Sequence, residues 1–202
     1  MTTGLRERKK LATRLALHRA ALQLVAERGL DRVSIDEIAE RADVSPRTFF
    51  NYFSSKDDAV VGLDPIGPQR QAEAFADRPA EESPVQALRA VAVAQAAVMA
   101  EETELWPLRL RVIEAHPPLL ARLTAGFGES DRALAAAIAD RTGTRADADV
   151  YPGLLALVAG AAMRSALHRW LATDFSTPLP ALVDEAWNVL AAGLPAPTRR
   201  AT

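Results

Sequence analysis

The chain has 202 residues, 49% of them hydrophobic, and a formal net charge of -2, which is enough apolar material to bury a sizeable core without covalent help. It has no cysteine, so disulfides, thiolate catalysis and cysteine-ligated zinc are excluded, and its histidines (His18, His116 and His168) lack the spacing of a helical zinc site. The longest unbroken run of apolar residues and glycine, Gly153 to Met163, falls short of the roughly 20 residues needed to span a bilayer. A cytoplasmic protein with no membrane partner, metal or cofactor is therefore expected.

The near-neutral total hides an asymmetry. Residues 1–60 carry a net charge of +2 and the remainder a net charge of -4, with Arg6, Arg8, Lys9, Lys10, Arg14 and Arg19 crowded near the start. A basic end on an otherwise acidic chain suits a polyanionic partner.

Strand signals are nearly absent, and Ala, Leu, Arg and Glu dominate, so the chain reads as all-helical with about nine helices. The first is expected over Arg6–Arg28, where Leu11, Leu15, His18, Leu22 and Val25 form one stripe and Gly29 stops it. A second opens on Ser34 and Glu37, which have the S-x-x-E spacing of a capping box. Ile35, Ile38, Ala39 and Ala42 give it a buried face, and Asp43 is placed to take up the left-handed turn. Ser45 then caps a third helix, Pro46 suits its first position, and the spacing predicts that it runs to Tyr52. Ser55 and Asp58 start a fourth helix that runs into the sixties or seventies, with the segment Asp64–Pro68 as an interruption and a boundary zone. Further helices are expected near 84–103, 105–115, 118–141, 148–173 and 180–193, followed by a disordered tail.

Two short helices joined by Asp43-Val44-Ser45 match the helix-turn-helix plan. Phe49 and Phe53, four apart, share a face that can pack against Ile38, Ala42 and the first helix. Arg47, Phe50 and Asn51 fall on the other side. There Arg47 can donate to guanine, Asn51 can pair with adenine, and Phe50 can lie against a thymine methyl. Thr48, Tyr52 and Lys56 suit phosphate oxygens. The N-terminal basic cluster adds salt-dependent affinity.

The stretch SIDEIAERADVSPRTFFNYFSSKDDAV resembles the DNA-binding domain of tetracycline-repressor (TetR) family regulators. The resemblance rests on Ser34, Ile38, Ala39, Val44, Ser45, Thr48, Phe50, Phe53 and Lys56. Asp43 stands where that family usually has glycine, and Phe50 where it most often has tyrosine. The resemblance implies DNA-phosphate contacts from Ser34, Thr48, Tyr52 and Lys56, and base reading by Arg47, Phe50 and Asn51. It also implies a DNA-binding domain over 1–62 and a ligand-binding, dimerising domain over 63–202.

For dimerisation through the last two helices, the apolar stripes are Leu154, Leu157, Val158 and Ala161, then Leu182, Ala186, Val189 and Leu190. Candidates for lining an effector pocket are Met99, Trp106, Leu110, Ile113, Phe127, Met163, Leu167 and Trp170, with Arg109 and His116 as polar anchors. The segment WPLRLRVIEAHPPLLARL is similar to one in actinobacterial family members with an acyl-CoA-like ligand. The expected protein is thus a homodimeric regulator, in the usual case a repressor, that binds a palindromic double-stranded operator and is released by a small hydrophobic effector. Two other classes fit less well: a helical ligand-binding or scaffold protein without DNA binding, and a helical hydrolase or lyase using His116 or His168. The sequence has no nucleophile elbow, P-loop or dinucleotide-binding glycine pattern for the enzyme.

Overall fold

In a computed structural model of the chain, residues 5–195 are described, with side chains from residue 8 onward. The tail beyond Pro195 and the side chain of Arg6 lie outside these. All regular structure among the described residues is helical: α1 (Leu5–Arg28), α2 (Ile35–Arg41), α3 (Pro46–Phe49), α4 (Lys56–Val61), α5 (Gly67–Ala76), α6 (Pro84–Ala100), α7 (Trp106–Ala115), α8 (Pro117–Thr142), α9 (Val150–Ala172) and α10 (Leu179–Ala191). Short 3-10 turns occupy Leu30–Arg32 and Thr103–Leu105.

Ten α-helices replace the nine expected because the fourth is interrupted. Gly62 closes α4 in the left-handed region at φ 70, and the chain restarts as α5 after Asp64-Pro65-Ile66. Glycine is needed at this stop twice over. Its φ disfavours a side chain, and a Cβ there would stand 3.0 Å from the His18 ring. Proline opens α6, α7 and α10 at the first or second helical position, where its missing N–H has no helical partner.

The helices form two compact units that do not follow chain order. One comprises residues 1–68 with 104–129, and the other residues 69–103 with 130–202. In the first, α1 packs against α2, α4 and α7. Its core joins Leu17, Leu22 and Val25 of α1 to Ile38, Phe49 and Phe53, and reaches Ile113 and Leu119. The buried face of α1 is broader than one stripe, because Leu17, Ala21 and Leu24 are enclosed as fully as Leu22. In the second unit α6, α9 and α10 pack together around Leu88, Ala156, Val183 and Trp187. Alanines at Ala92, Ala96, Ala159, Ala162 and Ala166 permit this close approach. Arg141 fixes the connection before α6 by donating to the carbonyls of Arg78, Pro79 and Glu82. α9 is long and apolar enough to cross a membrane, yet it is a packed bundle helix bearing Arg164, His168 and Arg169.

Candidate nucleic-acid interface

The candidate surface is built from local caps. Ser34 Oγ accepts from Glu37 N–H at 3.2 Å, while Glu37 Oε2 accepts from Ser34 N–H at 2.8 Å. Bonds from the Ser34 backbone and hydroxyl, with Arg28 2.7 Å away, hold the Glu37 carboxyl below the usual carboxylate range. α2 ends at Ala42, and Asp43 adopts φ 55, the left-handed conformation expected of it. The turn is closed by Val44 N–H to Ala39 carbonyl at 2.9 Å. Ser45 Oγ then accepts from Thr48 N–H at 3.1 Å and lies 2.8 Å from Thr48 Oγ1.

α3 is shorter than Pro46–Tyr52. Only Pro46–Phe49 is α-helical. Asn51 and Tyr52 bond back three residues, to Thr48 and Phe49, at 3.1 and 2.9 Å. Such bonds tighten the last turn of a helix. The physical reason is spatial: Phe53 must sink into the core, and Ser55 already caps the next helix. Phe49 and Phe53 are both fully buried, their ring centroids 5.9 Å apart. Each such burial contributes roughly 2–3 kcal/mol and holds α3 to α1 and α2.

This anchoring settles what faces outward. Arg47 and Asn51 are exposed, and Phe50 is 59% exposed although its ring is among the largest apolar groups of the domain. Thr48 and Tyr52 are half-buried, with Tyr52 packed against the core. Ser34 is exposed, its hydroxyl engaged in the cap. Lys56 points back into the domain: its Nζ donates to the carbonyls of Leu30 and Val33 at 2.6 and 2.9 Å. The ammonium therefore ties the α1–α2 connection to the start of α4. A hollow beside α3 is lined by Asp36, Glu40 and Asp43. Phosphate would be repelled there, so the electrostatics favour contact through the Arg47 face.

The residues considered for an effector pocket fall in both units. Trp106, Arg109, Leu110, Ile113, His116 and Phe127 belong to the first, and Met99, Met163, Leu167 and Trp170 to the second. Ile113 is buried in the core of the first unit. Arg109 lies over the Trp106 ring at 4.7 Å. His116 bonds to Val112 and Leu30 rather than facing an open pocket, and Trp170 is buried edge-on to Phe175. In the last two helices Leu154, Leu157 and Val189 are exposed, Ala161 likewise, and Val158, Ala186 and Leu190 are half-buried. Leu182 is committed to the interior of its own chain, 7% exposed, because it faces the α6 and α9 side of α10. Among the described residues no cluster of His, Asp and Glu could hold a metal ion.

A capped α2, a left-handed turn and a short, core-anchored α3 with an exposed polar and aromatic face define a helix-turn-helix regulator of transcription. The chain belongs to the tetR family of bacterial regulatory proteins: residues 17–60 match that family, and residues 82–195 match the MftR C-terminal domain. Its members are transcriptional regulators and not enzymes. The chain is 36% identical over 175 residues to the HTH-type transcriptional regulator TcmR of Streptomyces glaucescens, covering 83% of this chain and 76% of that one. It is 30% identical over 190 residues, 93% of each chain, to a Mycobacterium tuberculosis protein named as the mycofactocin biosynthesis transcriptional regulator MftR. Among solved structures, the regulator FadR of Bacillus subtilis, in complex with stearoyl-CoA, shares the fold at TM-score 0.56 and 18% identity, over 89% of this chain and 98% of that one.

Proposed function

We propose that the protein is a homodimeric repressor that binds a palindromic operator and leaves it when a small hydrophobic effector binds. The observation that carries this reading is the division of α3 and the turn after it: Phe49 and Phe53 are buried while Arg47, Phe50 and Asn51 stand exposed. A packing role accounts for the first pair; Phe50 meets Phe49 edge-on at 5.5 Å between ring centroids yet stays largely exposed, and Arg47 and Asn51 are exposed with it. Arg47 and Asn51 supply base-edge donors and acceptors, and Phe50 an apolar plate for a thymine methyl. Thr48, Tyr52 and the cap at Ser34 lie at the phosphate edge. A two-fold pair of chains, joined along the exposed apolar faces of α9 and α10, would present two such helices to successive major-groove faces. An acyl-CoA-like effector fits the mixture of apolar groups and arginine around Trp106 and Arg109, and FadR, which shares the fold, was solved with stearoyl-CoA.

Gel-shift titration against duplex DNA from upstream of the protein's own gene, in a salt series, tests this. Arg47→Ala should relax base preference at one position, costing about 1–3 kcal/mol on the preferred site. Lys56→Ala should weaken operator binding more than random-duplex binding, because its ammonium holds the Leu30–Val33 connection that leads into α2. If binding is indifferent to salt, or if neither substitution changes it, the repressor reading fails. Adding palmitoyl-CoA to the wild-type complex, with free CoA as control, tests the effector class.

A further inference from the structure

One face of α8 is devoted to the DNA-reading half of the molecule. Leu119 is fully buried in that unit's core, and Leu123 packs against it. Arg122, on the same face, reaches Asp58 of α4 with Nε 2.5 Å from Oδ1, and its Nη1 lies 3.1 Å from Glu129 Oε1. Gly126, one turn on, is notched to receive Leu63: a Cβ there would stand 2.8 Å from both Leu63 methyl carbons. These positions recur at three- and four-residue steps, the repeat of a single helix face.

The junction between α7 and α8 makes a second polar link. His116 Nδ1 faces the Val112 carbonyl at 2.8 Å. A carbonyl can only accept, so Nδ1 carries the proton and Nε2 of the neutral ring is the acceptor. Nε2 receives the Leu30 N–H at 3.4 Å. The carbonyl of the same residue accepts from Lys56. Leu30 is thus held from the α7–α8 side through its N–H and from α4 through its C=O. Ser34, the N-cap of α2, lies only four residues further on.

Asp58 is the other end of the device. Its side chain is 5% exposed, so its charge has almost no solvent to stabilise it, and Arg122 is its partner. Removing one member of a buried pair leaves the other uncompensated. Asp58 sits in the first turn of α4, five residues after Phe53, whose ring anchors the recognition turn.

We propose that Arg122 is a positioning residue for DNA reading: through Asp58, assisted by His116 at Leu30, it sets the pose of α4 and of the α2–α3 pair. It touches no DNA. The proposal rests on the reading of α3 as the recognition helix, and its test has one arm that uses no DNA.

In that arm, amide hydrogen exchange over residues 30–53 is compared between the full-length wild-type protein and Arg122→Lys. Lysine keeps the charge but loses the fork that meets Asp58 and Glu129 together, so exchange there should quicken at least fivefold while α9 and α10 stay unchanged. Unchanged exchange in residues 30–53 overturns the proposal. In the second arm, operator and random-sequence duplex are titrated with Arg122→Ala, Asp58→Asn and the double variant. Each single change should lower operator affinity tenfold or more and random-duplex affinity less than twofold. The double variant should be no worse than the worse single one, as partners in one pair are non-additive. Additive losses, or operator binding like that of wild type in folded single variants, overturn it. Should Arg122→Ala not fold, the exchange arm decides alone. If the wild-type protein binds no duplex in a salt-dependent manner, the recognition reading fails instead, and the exchange arm still judges the positioning role.

Discussion

His18 shows how one side chain can tie folding to pH. It is buried where α1 meets α4, and its Nδ1 lies 2.7 Å from the Ala59 carbonyl. Nδ1 must therefore carry a proton. Burial, then the nearby Arg109, Arg14 and Arg19, disfavour a second proton and push the pKa down to about 3; only the bond to Ala59 opposes them. In the unfolded chain the group titrates near 6.5. Between these values the unfolded state binds more protons than the folded one, so stability is lost as pH falls from 6.5 toward 3 and is fully present above 6.5. The slope from this one group approaches about 1.4 kcal/mol per pH unit. His18→Asn keeps a donor for Ala59 but cannot titrate, so urea denaturation at pH 7, 6, 5 and 4 should give a shallower slope by that amount. Identical slopes would mean that another group carries the acid sensitivity. The neighbouring Gly62→Ala should lower stability by about 1–2 kcal/mol, since a side chain there meets both an unfavourable φ and the imidazole.

At the scale of elements, the caps do most of the work that a short helix cannot do for itself. Isolated helices under about 12 residues are marginal in water, and α3 has four. It exists because Ser45 satisfies the Thr48 N–H, Pro46 fits the first position, and Phe49 and Phe53 are sunk in the core. Ser45→Ala should cost about 1 kcal/mol in thermal or urea denaturation and weaken operator binding more than random-duplex binding, because the frayed turn carries Arg47. Equal weakening on both duplexes would argue that α3 does not read sequence. These devices were legible in the chain: Ser34 with Glu37, Asp43 as the left-handed residue, Ser45-Pro46, and the inward pair Phe49 and Phe53 all follow from local spacing. The length of α3 was not, because side-chain spacing does not distinguish an α-turn from the tighter three-residue bonds that Asn51 and Tyr52 make. Lys56 was read as a phosphate contact from its type and position. Its bonds to Leu30 and Val33 depend on a loop 23 residues or more away, which only the folded chain brings near.

At the scale of the molecule, a boundary near residue 62 follows from local composition, yet residues 104–129 belong to the same compact unit as residues 1–68. Leu119 and Leu123 announce an apolar face, but periodicity does not say which neighbour covers it. The same ambiguity runs through α9, and there it yields a prediction. Val150, Leu154, Leu157 and Ala161 recur at steps of four, three and four, and all are exposed. Val189 adds an exposed apolar group on α10. Single exposed leucines need no explanation, whereas a row of them along one helix face does. A second copy of the chain covering this row would need to bury roughly 800 Å² on each partner. Leu157→Glu, near the middle of the row, would place a charge in that contact, where desolvation makes it costly. Sedimentation velocity should then show a monomer at concentrations where the wild-type protein, on the proposed reading, sediments as a dimer, with far-UV circular dichroism unchanged because Leu157 has no part in its own chain's core. The two DNA-binding units would no longer act through one tethered complex, and operator affinity should fall by about 10²-fold or more. Contact with a single half-site should weaken far less. A variant that stays dimeric would move the interface off this face of α9, and a monomer that still binds the full operator as tightly would show that the two half-sites are read independently.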